Sequence, residues 1–360
     1  MKIIIGADIC ITKEEEILNA KFVSGDAEGI VGKEILDRLN KADFRMFNIE
    51  AALTTGGKPI TKCGPCLRMD PRGMSTIKKF GIDLAAIGNN HTYDFGAEGF
   101  VDTLNTLKEN GVPYVGGGET KEEVKKPFIF EKEGKKIGVY CCCEHEFSWF
   151  SDYGIGTNGF DPLETPDEIA ELKKSVDFLI VLYHGGRECY RYPFPYMQKV
   201  CRKIAEKGAD LVVCQHTHCI GSEEDYKGSK IIYGTGNFVF CKYIDYDEGI
   251  FEQTAMLLEV TIEGDKVSYD YIPFTVDHVG IYPTDDPTII GDYFKRSEEL
   301  KQEGFVEKHF AEYADAVGDY YAKRIMNDGL AVMMNYTNCE PHREMLGHYL
   351  KKTVIKGDMK

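Results

Sequence analysis

The chain has 360 residues, of which 43% are hydrophobic and 12% aromatic. That is enough for one large core with an appendage, and it excludes wholesale disorder. Asp and Glu number 59 against 43 Lys and Arg, a net charge of −16, which repels nucleic acid and anionic membranes, so an anionic substrate would need a local basic pocket.

The first apolar run, Ile3 to Ile5, follows Met1-Lys2 directly and leads to Asp8. No apolar stretch has signal-peptide or membrane-spanning length, and the expectation is a cytoplasmic protein whose 12 Cys are free thiols. After a helical pattern over Ile30 to Leu39, the run Phe44 to Phe47 delivers Asn48-Ile49-Glu50. Cys63-Gly64-Pro65-Cys66 is a lone C-x-x-C in a Gly/Pro-rich loop; without the second pair of a zinc ribbon, a redox or zinc role is the lesser reading. A helical pattern over Met74 to Phe80 precedes the strand Leu84 to Ile87, which leads to Gly88-Asn89-Asn90-His91. Phe100 to Asn110 reads as helix, and the strand Lys136 to Tyr140 ends in Cys141-Cys142-Cys143, whose default role is core packing. Beyond the helical pattern Asp167 to Lys174, Phe178 to Tyr183 delivers His184 into Gly185-Gly186. Beyond Pro195 to Lys207, also helical, Leu211 to Cys214 delivers Gln215-His216-Thr217-His218.

This alternation predicts a largely parallel α/β sheet, in which the loops at the carboxyl ends of strands share one edge. From Lys230 the strands Ile231 to Tyr233, Asn237 to Cys241, Thr254 to Ile262 and Lys266 to Phe274 follow without helices and predict an antiparallel extension. After Ile289 the pattern is helical, over Tyr293 to Gly304, Phe305 to Ala316 and Gly318 to Asn327. The division expected is a main domain over residues 1–280 and a helical C-terminal appendage over 281–360. Five strand exits thus converge on imidazole, carboxylate and amide groups, the mixture two adjacent divalent ions need. His-x-His sets two imidazoles on one side of an extended segment, and burying such groups without a counter-ion is costly.

The ordered motifs Gly6-Ala7-Asp8, Asn48-Ile49-Glu50, Gly88-Asn89-Asn90-His91 with Asp94-Phe95-Gly96, His184-Gly185-Gly186-Arg187-Glu188, His216-x-His218 and Gly234-Thr235-Gly236-Asn237 resemble the CapA-type capsule-synthesis proteins associated with poly-γ-glutamate. That family is itself similar to calcineurin-like metallophosphoesterases. The resemblance covers about residue 3 to about residue 275. It implies a four-layer αββα sandwich and two divalent metal ions, of Mn, Fe or Zn type. It also implies ligand roles: Asp8 and His218 on one ion, Asn90, His184 and His216 on the other, and Glu50 bridging. His91 would be general acid or transition-state stabiliser, with Asp94 orienting it. This chain has Asp8-Ile9-Cys10 where metallophosphoesterases have Asp-x-His, and Glu50 where they have Asp. The Cys10 thiol either ligates a soft metal or packs in the core, the more ordinary outcome.

Arg187 and Arg191 follow the metal histidine among Tyr190, Tyr192, Phe194 and Tyr196; they either rim the pocket as bidentate anion binders or pair with local acids such as Glu188. Glu188 is also a candidate partner for a ligand histidine, and Asn237, after a Gly-rich turn, either serves the site or completes the turn. The expected function is a metal-dependent hydrolase acting on a γ-glutamyl-like amide or a phosphoester of a small or polymeric anionic substrate. The alternatives are a nucleotide or sugar-phosphate phosphoesterase and a catalytically degenerate protein that binds acidic polymer.

Overall fold

Residues 1–240, 253–277 and 279–355 are described in the computed structural model. Among them, eight strands form a first sheet that runs, edge to edge, Ile281–Pro283, Lys266–Val276, Thr254–Glu263, Lys2–Cys10, Phe44–Ile49, Leu84–Ala86 and Tyr114–Val115, with Asn237–Phe240 also on Lys2–Cys10. A second sheet runs Glu223–Tyr226, Ser229–Ile232, Leu211–Gln215, Phe178–His184, Lys135–Cys143 and Phe128–Lys132.

Side-chain alternation along the strands builds the layers. Ile3 and Ile5 point into a cluster shared with Val139, Ile180, Leu182 and Val213, which therefore lies between the two sheets. Ile4, one residue out of phase, points to the other face, where Ile30, Ile35, Ile77 and Leu104 of the first helical layer pack. On the outer face of the second sheet, Val181 and Val212 meet Val200 and Ile204 of the helix Pro195–Glu206, and Phe310, Tyr321 and Tyr336 of the C-terminal helices. The order is helix, sheet, sheet, helix. The strands at the centre are buried along almost their whole length, as parallel strands covered on both faces must be.

Two expectations from the sequence need correction. Ser229–Ile232 runs parallel to Leu211–Gln215 and antiparallel to Glu223–Tyr226, and Asn237–Phe240 runs parallel to Lys2–Cys10; Thr254–Glu263, Lys266–Val276 and Ile281–Pro283 form the expected antiparallel extension. Between Ile232 and Asn237 the chain passes from the second sheet to the first, so consecutive strands without a helix need not be hairpin partners. Cys241 lies outside the described residues. The second correction concerns Gly318, read as a break between two helices. Phe305–Asn327 is one helix, and a Cβ at Gly318 would sit 2.3 Å from the Tyr349 ring of Glu340–Ile355. Gly318 lets two helices approach closely. The first sheet continues to Pro283, and the C-terminal helices begin at Pro287.

Candidate metal centre

Asp8, Asn48 and Asn237 stand in register on adjacent strands of the first sheet, Asp8 being central. Glu50 follows its strand by one residue, and Asn90 follows Leu84–Ala86. In the second sheet, His184 pairs with both Cys143 and Gln215, so Glu144 and His216 emerge beside it. The carboxyl edges of both sheets thereby meet over one point.

Glu50 occupies that point. Its Oε1 lies 3.3 Å from His184 Nε2, 3.9 Å from His216 Nδ1 and 3.8 Å from His218 Nε2. His184 Nε2 is 3.0 Å from Asn90 Oδ1, and His218 Nδ1 is 3.6 Å from Asp8 Oδ2. Two donor groups have ligand atoms within 4.8 Å of one another, Asp8–Glu50–His184 and Glu50–His216–His218, and Glu50 belongs to both. Asp8, Glu50 and the three histidines are all buried. His216 and His218 adopt φ of 90° and 53°, a left-handed conformation that non-glycine residues hold only where the surroundings enforce it.

The charge balance of these groups suits a cation. Burial and the Glu50 charge push the Asp8 carboxyl well above its usual range. Burial also works against a charged Glu50, yet the imidazoles, His218 and His184 foremost, hold its carboxyl well below that range. Burial lowers His184 to about 4. On His216 burial is outweighed by Glu50, Glu188, Glu144 and Glu146, which raise it to about 10. Both Glu50 oxygens and His216 Nδ1 are buried and make no hydrogen bond with the described residues. Orphaned buried acceptors are costly in an apolar interior, and divalent ions are the partners this donor set fits.

Beside this centre, His91 Nδ1 lies 2.6 Å from Asp94 Oδ2, and Asp94 also accepts from Leu67 N at 2.7 Å. Lys62 Nζ, 2.5 Å from Asp94 Oδ1 and 3.2 Å from His91 Nδ1, completes a buried triad. His91 and His218 open into a cavity of about 410 Å³ that also contains Arg187, Glu188, Arg324, Tyr321, Tyr336 and His342. Arg187 pairs with Glu188 through Nη1. Its buried Nε makes no hydrogen bond with the described residues.

The family model for the bacterial capsule synthesis protein PGA_cap matches residues 12–242. The chain belongs to the PGA_cap family. It is 28% identical over 182 residues to the PGA biosynthesis protein CapA of Bacillus subtilis, covering 48% of this chain and 47% of that one. A probable polyglutamine synthesis accessory protein of Mycobacterium tuberculosis is 24% identical over 259 residues, covering 66% and 67%. The chain thus spans about half the length of the Bacillus relative. Among solved structures, a Mycoplasma pneumoniae phosphatase overlaps 85% of this chain and 98% of its own at a TM-score of 0.46 and 16% identity.

In this PGA_cap chain the residues read from the sequence divide three ways. Asp8, Glu50, Asn90, His184, His216 and His218 come together, with His91 and Asp94 beside them, and Arg187 and Glu188 line the cavity. Asn237 and Arg191 are not part of its lining. Asn237 sits behind His218, its Oδ1 2.8 Å from Nδ1. Arg191 lies near Arg296, where burial and that charge lower it to about 10. Cys10 packs in the core on the helix side of the first sheet and is absent from the donor groups. Cys63 and Cys66 are unbridged thiols.

Glu144, Glu146, Asn48 and Lys62 were not foreseen as site residues. Asn48 Nδ2 donates to Asp8 Oδ1 at 2.8 Å, and Asn90 Nδ2 to Glu146 Oε2 at 2.7 Å. His216 Nε2 lies 3.7 Å from Glu144 and 3.8 Å from Glu146. Their signal was available, since Glu144-His145-Glu146 leaves its strand in the same manner as the histidines.

Proposed function

We propose that this PGA_cap protein is a metal-dependent hydrolase of a small or polymeric anionic substrate, cleaving a γ-glutamyl-like amide or a phosphoester. The observation that carries the reading is Glu50, a buried carboxylate with no hydrogen bond from the described residues, set between two donor groups that share it. Those groups pair Asp8 with His184 and His216 with His218, whereas the resemblance and the close pairs Asp8–His218 and Asn90–His184 favour a different division: Asp8 and His218 would hold one divalent ion, and Asn90, His184 and His216 the other, with Glu50 common to both. When bound, such ions acidify water and neutralise charge developing on the attacked group.

The chain's own residues supply the remaining functions. Asp94 fixes the His91 ring through Nδ1, which leaves Nε2 to exchange a proton with the leaving atom. Lys62 holds Asp94 in place through an ion pair at 2.5 Å. Arg187, whose Nε makes no hydrogen bond with the described residues, and Arg324 give the acidic protein a local cationic wall for a carboxylate or phosphate. The test is a panel of phosphoesters and γ-glutamyl amides incubated with the protein and Mn, Fe or Zn. Released phosphate identifies a phosphoesterase, and released amine identifies an amidase. If neither appears with any metal, the hydrolase reading is wrong and the chain is a binding protein.

A further inference from the structure

Above the Glu50 centre a second set of donors joins the core to the C-terminal helices. Glu146 divides its carboxylate: Oε2 accepts from Asn90 Nδ2 at 2.7 Å, while Oε1 lies 3.8 Å from His342 Nε2. The Cys339 thiol donates to Glu144 Oε1 at 3.6 Å. The ligand atoms of Glu146, Cys339 and His342 lie within 4.8 Å of one another. Exposure is 3% for Glu144, 4% for Glu146, 1% for Cys339 and 9% for His342, so the cluster is largely buried, with Glu146 and His342 reaching the cavity wall.

Local geometry presents these groups. Cys339, in extended conformation, joins the helices Leu330–Asn338 and Glu340–Ile355, and His342 follows three residues later. The hydroxyl of Tyr321 is 2.7 Å from His342 Nδ1, and the Tyr336 ring lies 5.0 Å away. With Nδ1 engaged, Nε2 is the nitrogen left to face Glu146, the arrangement by which an outer hydrogen bond orients a ligating imidazole. The two buried carboxylates share one imidazole, His216 at 3.7 and 3.8 Å, and a cation on their far side, beside Cys339 and His342, would complete the charge balance. A thiol and an imidazole beside them favour a soft ion over magnesium or calcium.

We propose that Glu146, Cys339 and His342, with Glu144 as fourth donor, bind a zinc-class divalent cation that fastens the C-terminal helices over the cavity. All four positions are protein groups, as in closed structural zinc sites, so the ion holds the roof in place rather than taking part in hydrolysis. The site adjoins the Glu50 centre through His216, whose Nε2 is 3.7 Å from Glu144 and 3.8 Å from Glu146, and differs from it in having a thiol. His342 also lines the cavity, so the same ion would set the height of its roof.

Cobalt(II) substitution separates the two. A thiolate ligand gives cobalt a near-ultraviolet charge-transfer band, and the Glu50 centre gives none. The band is expected in the wild-type protein and in Cys63→Ser, which removes another thiol of the cavity wall, and should vanish in Cys339→Ser. His342→Gln keeps the thiol and decides the matter should Cys339→Ser fail to fold; it should weaken cobalt binding at this site by at least about tenfold. Tyr321→Phe should weaken it by roughly ten- to a hundredfold, as for other lost outer hydrogen bonds. A wild-type protein without the band, a band that survives Cys339→Ser, or unchanged affinity in His342→Gln would overturn the proposal, whatever becomes of the hydrolase reading.

Discussion

The floor and the roof of the cavity are built on different physical terms. Asp8, Glu50, Asn90, His184 and His216 stand at the ends of strands whose register is locked by two hydrophobic layers, so their positions follow from the sheets. Tyr321, Tyr336 and His342 stand on helices docked through Phe310, Tyr321 and Tyr336 against the second sheet's outer layer. A floor residue is placed by backbone hydrogen bonds, and a roof residue by how helices happen to pack. Chemistry should therefore fail at the floor and be only modulated at the roof.

The largest effect expected is at Glu50. Glu50→Ala should leave protein without stoichiometric divalent metal at the floor and without measurable turnover, while its circular dichroism stays that of the wild type; metal analysis and an activity assay check both. Next is His91, which is beside the donors without being one. His91→Ala should keep its metal and lose roughly 10² to 10⁴ in kcat. Metal lost together with activity would instead place His91 among the ligands.

Arg187 and Arg191 sharpen the contrast between wall and periphery. Arg187→Ala should raise KM for an anionic substrate by the equivalent of about 1.5–3 kcal/mol, whereas Arg191→Ala should leave KM unchanged. Because Arg187 pairs with Glu188, the double variant Arg187→Ala/Glu188→Gln separates lost binding from a stranded carboxylate: KM stays high while the melting temperature recovers. The smallest effect belongs to the roof. Gly318→Ala places a methyl against Tyr349 and should cost about 1–3 kcal/mol of stability with kcat little changed. A kcat collapse there would mean that helix docking sets the floor after all.

The same division governs what could be read from the sequence. The floor was legible because apolar runs ending in Asp, Asn or His mark strand exits, and parallel exits share an edge. The two clusters around Glu50 follow from that rule. Glu144 and Glu146 obeyed it as well, but only the pairing of Cys143 with His184 shows that their exit adjoins His216. Lys62 reaches Asp94 across 32 residues from a Gly/Pro-rich loop, and no periodicity reports such a contact. Strand direction beyond Lys230 was hidden because the chain changes sheets between Ile232 and Asn237. Gly318 has the same letter whether it ends a helix or admits a neighbour, and only the Tyr349 ring distinguishes the two. The roof was least legible, since Cys339 and His342 gain meaning only once their helices lie over Glu144 and Glu146.

The most direct test of the account is an anomalous-diffraction measurement on crystals of the wild-type protein soaked in manganese. The account predicts two peaks roughly 4 Å apart, the usual spacing of paired metal sites, flanking the Glu50 carboxylate and reached by Asp8 with His218 on one side and by Asn90, His184 and His216 on the other. No peak within bonding distance of Glu50, or a single peak that leaves His184 or His218 without a metal, would contradict it.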